Sequence, residues 1–426
     1  MTRVLTGIVL AVVASASPAA SPDPKSLDIS PAQVTLAREL VRQLGSDVFR
    51  ERDAASRKLA DMGREALPAL LEGSRDSVDA EVRMRCEVLL PRAESEDMKA
   101  KVDVFLADTD GKYTHDLPGW DKFKDICGTD KAARELFADI IKLRDNHELL
   151  IATRLPADDM KRVVDARKRQ IQFRMQPVVH TPNFRPRMPS ISEGAALLLA
   201  ECVAPEKEDG WNGGWVYHTQ NLFYQIGEIQ TAARGQGKYG PAFRKLALKW
   251  LETRDGVQGI QVAVGIAQQI GLGANEVGRL YVKMLTVEGQ NAQWMRQQAL
   301  GHLARTNAKE HLPAVVKLLT DTTVLMPGVN QPGYIQPEVL VSDFALVVAC
   351  HLTGQKPSDY GLKVTPGRHN NNQFHDAGAM HFPPDKEGKA DAVRAAAVAK
   401  WKEWEAANTK KDEPKPETPK PTPPKP

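Results

Sequence analysis

The chain has 426 residues, of which 42% are hydrophobic and 26% charged, so most of it can fold around a buried core. Aromatic residues make up only 6%, and Ala, Leu and Val dominate the apolar set, which favours helices over sheets. The net charge is only +3, and much of it comes from the Lys- and Pro-rich C-terminal end, so we predict no nucleic-acid partner.

The first residues have the order of a secretory signal peptide. Arg3 provides the positive charge, residues 4–14 form a short apolar run, and residues 14–16 (Ala-Ser-Ala) are typical of a cleavage site. We therefore predict a signal peptide over residues 1–20 and a periplasmic or extracellular location; an uncleaved signal anchor is the alternative. No later stretch is long and apolar enough to predict a transmembrane span after signal removal.

Residues 30–92 contain four short segments with helical spacing of apolar residues, each with a single apolar face. A helix of this kind cannot bury its own face, so we expect the four to pack as helical hairpins. Two arginines, two small residues and two leucines recur at a spacing of about 31 residues, which is typical of paired-helix repeats: Arg52 and Arg83, Ala55 and Cys86, Leu59 and Leu90. We predict that the arginines hold turns between helices.

Residues 93–240 show a weaker pattern and are predicted to form a helical middle region with loops. We expect one helix capped by Thr129, another from Asp158 to Met175, and a third capped by Ser192. The second helix contains the basic run Lys161–Arg174, whose cations we place on a solvated face because an apolar stripe occupies the other side.

Residues 241–354 return to the hairpin pattern of the N-terminal region. Arg296 and Ala299 repeat the spacing of Arg52 and Ala55, and further helix pairs flank them on both sides. Residues 355–388 are rich in Gly, Pro, Asn and His and are predicted to form an irregular loop. A capping helix is predicted over residues 389–407, and residues 408–426 are predicted to be a disordered Pro/Lys tail.

The segments Leu36–Arg92 and Ala242–Gly354 resemble HEAT repeats of the armadillo-like superfamily, as found in exported bacterial proteins. The resemblance implies an all-α protein: a HEAT-like α–α superhelix, or solenoid, with irregular loops. Such a solenoid offers a long concave surface that binds other proteins without a catalytic pocket or a cofactor.

The stretch RHNNNQFHDAGAMHF contains the three histidines that suggest a metal site, His369, His375 and His381. Their spacing is six and six, which turns successive side chains about 240° apart on a helix, so a helix would not bring them together. We predict a polar connecting loop. A metal-binding protein or hydrolase that uses residues 369–381 with His218 or His351 is the alternative.

Two tryptophans, Trp211 and Trp215, lie beside glycines and are predicted either to contact a partner or to fold onto the helical core. Cys86 and Cys350 fall at helical positions typical of small buried residues, while the pairing of the four cysteines stays open. Common catalytic motifs such as GxSxG, HExxH and the Walker loop are missing from the sequence.

The sequence therefore predicts an exported, non-catalytic scaffold for protein–protein interactions, with no cofactor and with partner proteins on the concave face. A third interpretation is a protein that binds an anionic envelope surface through its Lys/Pro tail.

Overall fold

The computed structural model describes residues 21–175, 186–204, 219–289, 292–331, 334–336, 338–365, 374–384 and 389–409. The described residues form two compact units, one ending at Pro156 and the other beginning at Ala157. Helices dominate both units, so the prediction of a mostly helical protein is confirmed. The predicted signal peptide, Trp211, Trp215, His369 and residues 410–426 lie outside the described residues. Among the helices that are described, none is both long and apolar enough to span a bilayer.

The first unit contains seven α-helices. In chain order these are α1 (Pro31–Gln43), α2 (Phe49–Met62), α3 (Leu67–Asp76), α4 (Ala80–Ala107), α5 (Trp120–Cys127), α6 (Lys131–Lys142) and α7 (His147–Ala152).

The first four helices pack in two pairs. Helix α1 lies against α2 and α3, and α4 lies against the same two helices. Their single apolar faces meet in one core that contains Leu40, Leu44, Leu59, Leu70 and Cys86. Burial of these faces is the driving force for pairing, because apolar surface removed from water stabilises by about 25 cal/mol per Å².

Matching hydrogen bonds close the turns before α2 and α4. Arg52 Nη1 donates to the Ser46 carbonyl oxygen at 2.6 Å, and Arg83 Nη1 donates to the Ser77 carbonyl oxygen at 2.8 Å. In each turn the serine hydroxyl also accepts the backbone N–H two residues later. The two turns therefore have the same internal chemistry, at the repeat spacing seen in the sequence.

Helix α4 extends beyond the domain boundary predicted after residue 92. It continues to Ala107, since Val102 and Phe105 carry its buried face onward and the helix packs against α6. Pro91 lies inside this helix without ending it.

Two helix caps differ from the predicted residues. Asp130, rather than Thr129, accepts the Ala133 N–H and caps α6. Ser190, rather than Ser192, forms a capping box with Glu193 at the start of the next long helix. Serine and aspartate are interchangeable as caps, so local sequence alone did not fix which of the neighbouring polar residues ends the loop.

The second unit contains the remaining α-helices. These are α8 (Ala157–Met175), α9 (Ile191–Val203), α10 (Asn221–Gln225), α11 (Gly227–Ala233), α12 (Gly240–Thr253), α13 (Gly256–Gln269), α14 (Ala274–Leu285), α15 (Ala292–Arg305), α16 (Leu312–Val316), α17 (Val341–Thr353) and α18 (Asp391–Thr409).

Helices α11 to α15 pack in chain order, and each of them up to α14 lies against the helix that follows it. Helix α17 then packs on α15. Arg296 on α15 donates to the carbonyl oxygens of Leu285 and Val287 in the turn after α14, and pairs with Asp321 at 2.8 Å. Arg296 therefore also bonds the turn before its own helix.

Short antiparallel strands interrupt the helices of this unit. The strands are β1 (Val324–Met326), β2 (Val329–Gln331), β3 (Tyr334–Gln336), β4 (Val339–Leu340), β5 (Lys363–Val364) and β6 (Met380–His381). They pair as β1 with β4, β2 with β3, and β5 with β6. The region predicted as an irregular loop over residues 355–388 therefore contains one strand pair, with Lys363 opposite His381.

The C-terminal helix α18 is attached by a buried ion pair. Arg394 donates to Asp343 at 3.0 Å, and Asp343 also accepts the Leu340 N–H at the start of α17. Burial raises the pKa of the Asp343 carboxyl in spite of Arg394. Trp401 on the same helix is fully buried. The predicted capping helix is present, and it runs from Asp391 to Thr409.

We expect Arg83→Ala to destabilise the protein by about 1–3 kcal/mol, because two turn carbonyl groups lose a charged donor. Chemical denaturation monitored by circular dichroism measures the change. Arg57→Ala is the matched control, since Arg57 is an exposed arginine that pairs only with Asp53 one helical turn away, and it should cost no more than about 0.5 kcal/mol. Equal losses for both variants would contradict the role given to Arg83.

Candidate functional site

A groove of about 640 Å³ lies in the first unit between α1, α3 and the start of α4. Val41 and Val82, both buried, form apolar parts of its lining. Gly73, which is part of the lining, lets the helices approach closely here. A Cβ atom added at Gly73 would lie 2.7 Å from Val41 Cγ1 and 2.8 Å from Cys86 Sγ, so only glycine fits there without a shift.

Charged side chains line the rim of this groove. Arg38 and Glu72 form an ion pair across it at 2.6 Å, linking α1 to α3. Asp79 accepts the Glu81 N–H and caps α4. Arg42 is exposed and, within the part of the chain that the structure describes, forms no ion pair. The lining therefore contains two arginines and two carboxylates, and Arg42 is the guanidinium group that a carboxylate of a ligand could reach.

Exposed apolar side chains lie on the same two helices. Leu36 on α1 is 51% exposed, and Leu71 on α3 is 43% exposed. Neither leucine belongs to the groove lining, and single exposed leucines are common on protein surfaces.

A second polar cluster lies on the second unit, and we call it the Arg305 cluster. It contains Gln268 on α13, Tyr281 on α14, His302 and Arg305 on α15, and His375 in the loop before β6. The rings of Tyr281 and His302 stack with their centroids 4.4 Å apart. Arg305 Nη1 lies 3.5 Å from His375 Nδ1.

The hydrogen bonds of Gln268 fix the protonation of His302. Gln268 Nε2 donates to the Tyr281 hydroxyl oxygen at 3.0 Å and lies 3.4 Å from His302 Nε2. An amide nitrogen only donates, so His302 Nε2 accepts and the ring is neutral. Burial, reinforced by the positive charges of Arg305 and His375, lowers the pKa of His302 to about 4.

The loop that carries His375 is held on α15 by a close approach. Arg305 Nη1 donates to the Phe374 carbonyl oxygen at 2.7 Å, and a Cβ atom at Gly301 would collide with that oxygen. The Phe374 ring contacts the His351 ring, with centroids 4.5 Å apart. Glycine at position 301 is therefore what lets the histidine-containing loop dock.

The histidines proposed for a metal site have separate surroundings. His375 belongs to the Arg305 cluster, whereas His381 is buried. The Thr365 hydroxyl donates to the Gly378 carbonyl, so it accepts a hydrogen bond from His381 Nδ1 at 3.0 Å. Burial lowers the pKa of His381. Within the described residues, no three His, Cys, Asp or Glu side chains come together as a metal site.

Helices α8 and α9 contain a buried charge network that the sequence interpretation missed. The basic run was predicted to lie mostly on a solvated face, and Lys161, Arg162 and Arg169 are exposed, but Arg167 and Lys168 are buried. Glu193 on α9 accepts from Arg167 at 2.8 Å and from Arg174 at 2.7 Å. The signal was available in α9, a strongly apolar helix that nevertheless carries two glutamates, because a buried charge needs a partner.

Glu201 is the centre of the second half of this network. It pairs with Lys168 at 2.7 Å and with Arg254 at 3.4 Å, and it accepts hydrogen bonds from Thr219 and Trp250 at 2.5 Å each. Burial alone would raise the pKa of Glu201, but the two cations and the hydrogen bonds outweigh it and hold the pKa below its usual range. Each carboxylate oxygen is satisfied by protein groups, so the network is structural.

The predicted repeat positions are placed as follows. Ala55, Cys86 and Ala299 are buried, and their neighbouring arginines bond turns. Burial raises the pKa of the Cys86 thiol to about 11, so it stays protonated at neutral pH.

We expect Glu201→Gln to destabilise the protein by about 3–5 kcal/mol, because Lys168 and Arg254 keep buried charges without a counter-charge. Thermal and denaturant unfolding at neutral pH measure the loss. Glu252→Gln is the control, since Glu252 only accepts from the exposed Arg279, and it should cost less than about 1 kcal/mol. A Glu201→Gln protein as stable as the control variant would contradict the charged network.

The pKa of His302 has a consequence for stability. Its value of about 4 in the folded protein lies below the ordinary histidine value of 6.5, so the unfolded chain binds more protons between these values and the free energy of unfolding falls as pH decreases from 6.5 to 4. We expect a smaller fall in His302→Gln, measured by denaturant unfolding across this range. Identical pH dependence in both proteins would show that the imidazole titrates normally.

Comparison of the chain with models of protein families, with curated protein sequences and with solved structures finds no match. Its function is therefore inferred from its own residues and their contacts.

Proposed function

We propose that the protein is an exported, non-catalytic scaffold built from HEAT-like helical repeats, and that it binds partner proteins through the groove between α1 and α3. The stacking of its hairpins into a superhelix belongs to this proposal. Two features support the repeat assignment: the matched turn bonds of Arg52 and Arg83, and the packing of successive helices in both units.

The groove is the observation that carries the proposal. It combines an apolar lining at Val41 and Val82 with charged residues of both signs. Arg38 is paired with Glu72, whereas Arg42 forms no ion pair within the described residues. A surface that presents apolar area around one uncompensated guanidinium favours a polypeptide ligand over a small apolar one.

The groove chemistry defines the ligand. An acidic side chain of the partner would pair with Arg42, and apolar side chains beside it would contact Val41 and Val82 in the lining. The ligand is therefore a partner segment in which an Asp or Glu adjoins apolar residues. Hot-spot residues of interfaces include arginines of this kind, surrounded by apolar contacts that exclude water.

Site-specific photo-crosslinking tests the proposal. A photo-reactive amino acid placed at Thr35, an exposed residue of the groove lining, should capture a partner in the native envelope, and the crosslinked position should map to an acidic segment with apolar neighbours. The control position is Val88 on α4, which is 74% exposed but lies outside the groove lining. Position 88 should give no such product.

Two results would contradict the proposed function. Equal capture from both positions would show that the groove does not select the partner. Crosslinks from position 35 that map only to basic segments would show that the charge assignment of the groove is wrong.

A further inference from the structure

The Arg305 cluster gathers side chains that carry or can accept positive charge. Arg305, His302 and His375 come from one helix and one loop, and Arg305 Nη1 lies 3.5 Å from His375 Nδ1. Within the described residues, none of the three forms an ion pair. The neighbouring Asp376 carboxylate accepts the Gly378 N–H in its own turn. The cluster therefore contains repulsion that nothing described in it offsets.

Hydrogen-bond donors remain available at this position. Arg305 is exposed, and its bond to the Phe374 carbonyl uses Nη1 alone, which leaves Nε and Nη2 open to solvent. The Tyr281 hydroxyl accepts from Gln268, but its side chain is buried, so it supports the cluster from beneath. His375 is exposed at the edge of the same cluster.

The fold holds these donors in place. Gly301 lets the loop lie directly on α15, Phe374 packs on His351, and Tyr281 stacks on His302. A preorganised set of donors loses little entropy when a ligand binds, which distinguishes it from arginines on mobile side chains alone.

We propose that Arg305, His375 and His302 bind an oxyanion, either a carboxylate or a phosphate group, at the surface formed by α13, α14, α15 and the loop before β6. The guanidinium group would pair with two oxygens of the ligand, while the exposed His375 would donate to it. This site lies in the second unit and is independent of the proposed function of the α1–α3 groove.

Binding of an oxyanion would be linked to protons. The groups that face His302 are Arg305, His375 and Tyr281, together with the neutral Gln268. Burial, with the positive charges of Arg305 and His375, holds the pKa of His302 near 4, and an anion beside these groups opposes the repulsion, so the pKa rises on binding. Affinity is therefore expected to increase as pH falls towards 4.

An NMR titration of the full chain tests the site, with inorganic phosphate and acetate as separate probes. Ring proton signals of His302 and His375 should shift and saturate, and the pKa of His302 should rise when the probe is present. Saturation by phosphate alone assigns a phosphoryl ligand, and saturation by acetate alone assigns a carboxylate ligand. Each outcome supports an oxyanion site.

The variants complete the test. Arg305→Gln keeps a donor for the Phe374 carbonyl but removes the charge, and it should weaken binding about tenfold or more. Arg279→Gln, an exposed arginine of α14 that pairs with Glu252, is the matched control and should bind as the wild type does. If Arg305→Gln is unfolded by circular dichroism, His375→Gln at the exposed loop replaces it. The absence of saturable shifts with both probes, or equal binding by Arg305→Gln and Arg279→Gln, would overturn the proposal.

Discussion

The turns between helices depend on one repeated interaction, an arginine side chain that bonds the carbonyl groups of the turn before its own helix. Arg52, Arg83 and Arg296 all do this. Carbonyl oxygens in a tight turn lack helical partners, and a fixed guanidinium group supplies donors in a planar fork. Because the turn is held, the single apolar faces of the two helices meet at a defined angle. The α1–α3 groove follows from that packing.

Sequence reasoning identified the hairpins and the turn arginines because both are local. An apolar face shows in helical spacing, and Arg52 and Arg83 lie a fixed distance from their turns. It missed contacts between distant segments. From the sequence alone Lys168 is expected to be a surface cation, because its ion pair with Glu201 joins distant segments. In the same way, no residue near Gly301 in the sequence indicates that the loop at Phe374 docks there. Helix spacing likewise gave no reason to extend α4 through Pro91.

The charges of this protein fall into two groups with different consequences. Glu193 and Glu201 are buried, and every carboxylate oxygen is bonded by protein cations or donors, so these groups fix α8, α9 and α12 together. Arg42 and Arg305 are exposed and, within the described residues, lack a carboxylate partner. Satisfied buried charges specify structure, whereas uncompensated charges at a groove or a preorganised cluster favour ligands.

The central claim is that the groove selects an acidic partner segment through Arg42. A charge-reversal rescue tests this claim most directly. The affinity of the purified protein for its crosslinked partner segment is measured with Arg42→Glu, and again after the facing acidic residue of the segment is changed to Arg. The first change should weaken binding about tenfold or more, and the second should restore most of it. Unchanged affinity in Arg42→Glu, or no rescue by the second change, would contradict the account.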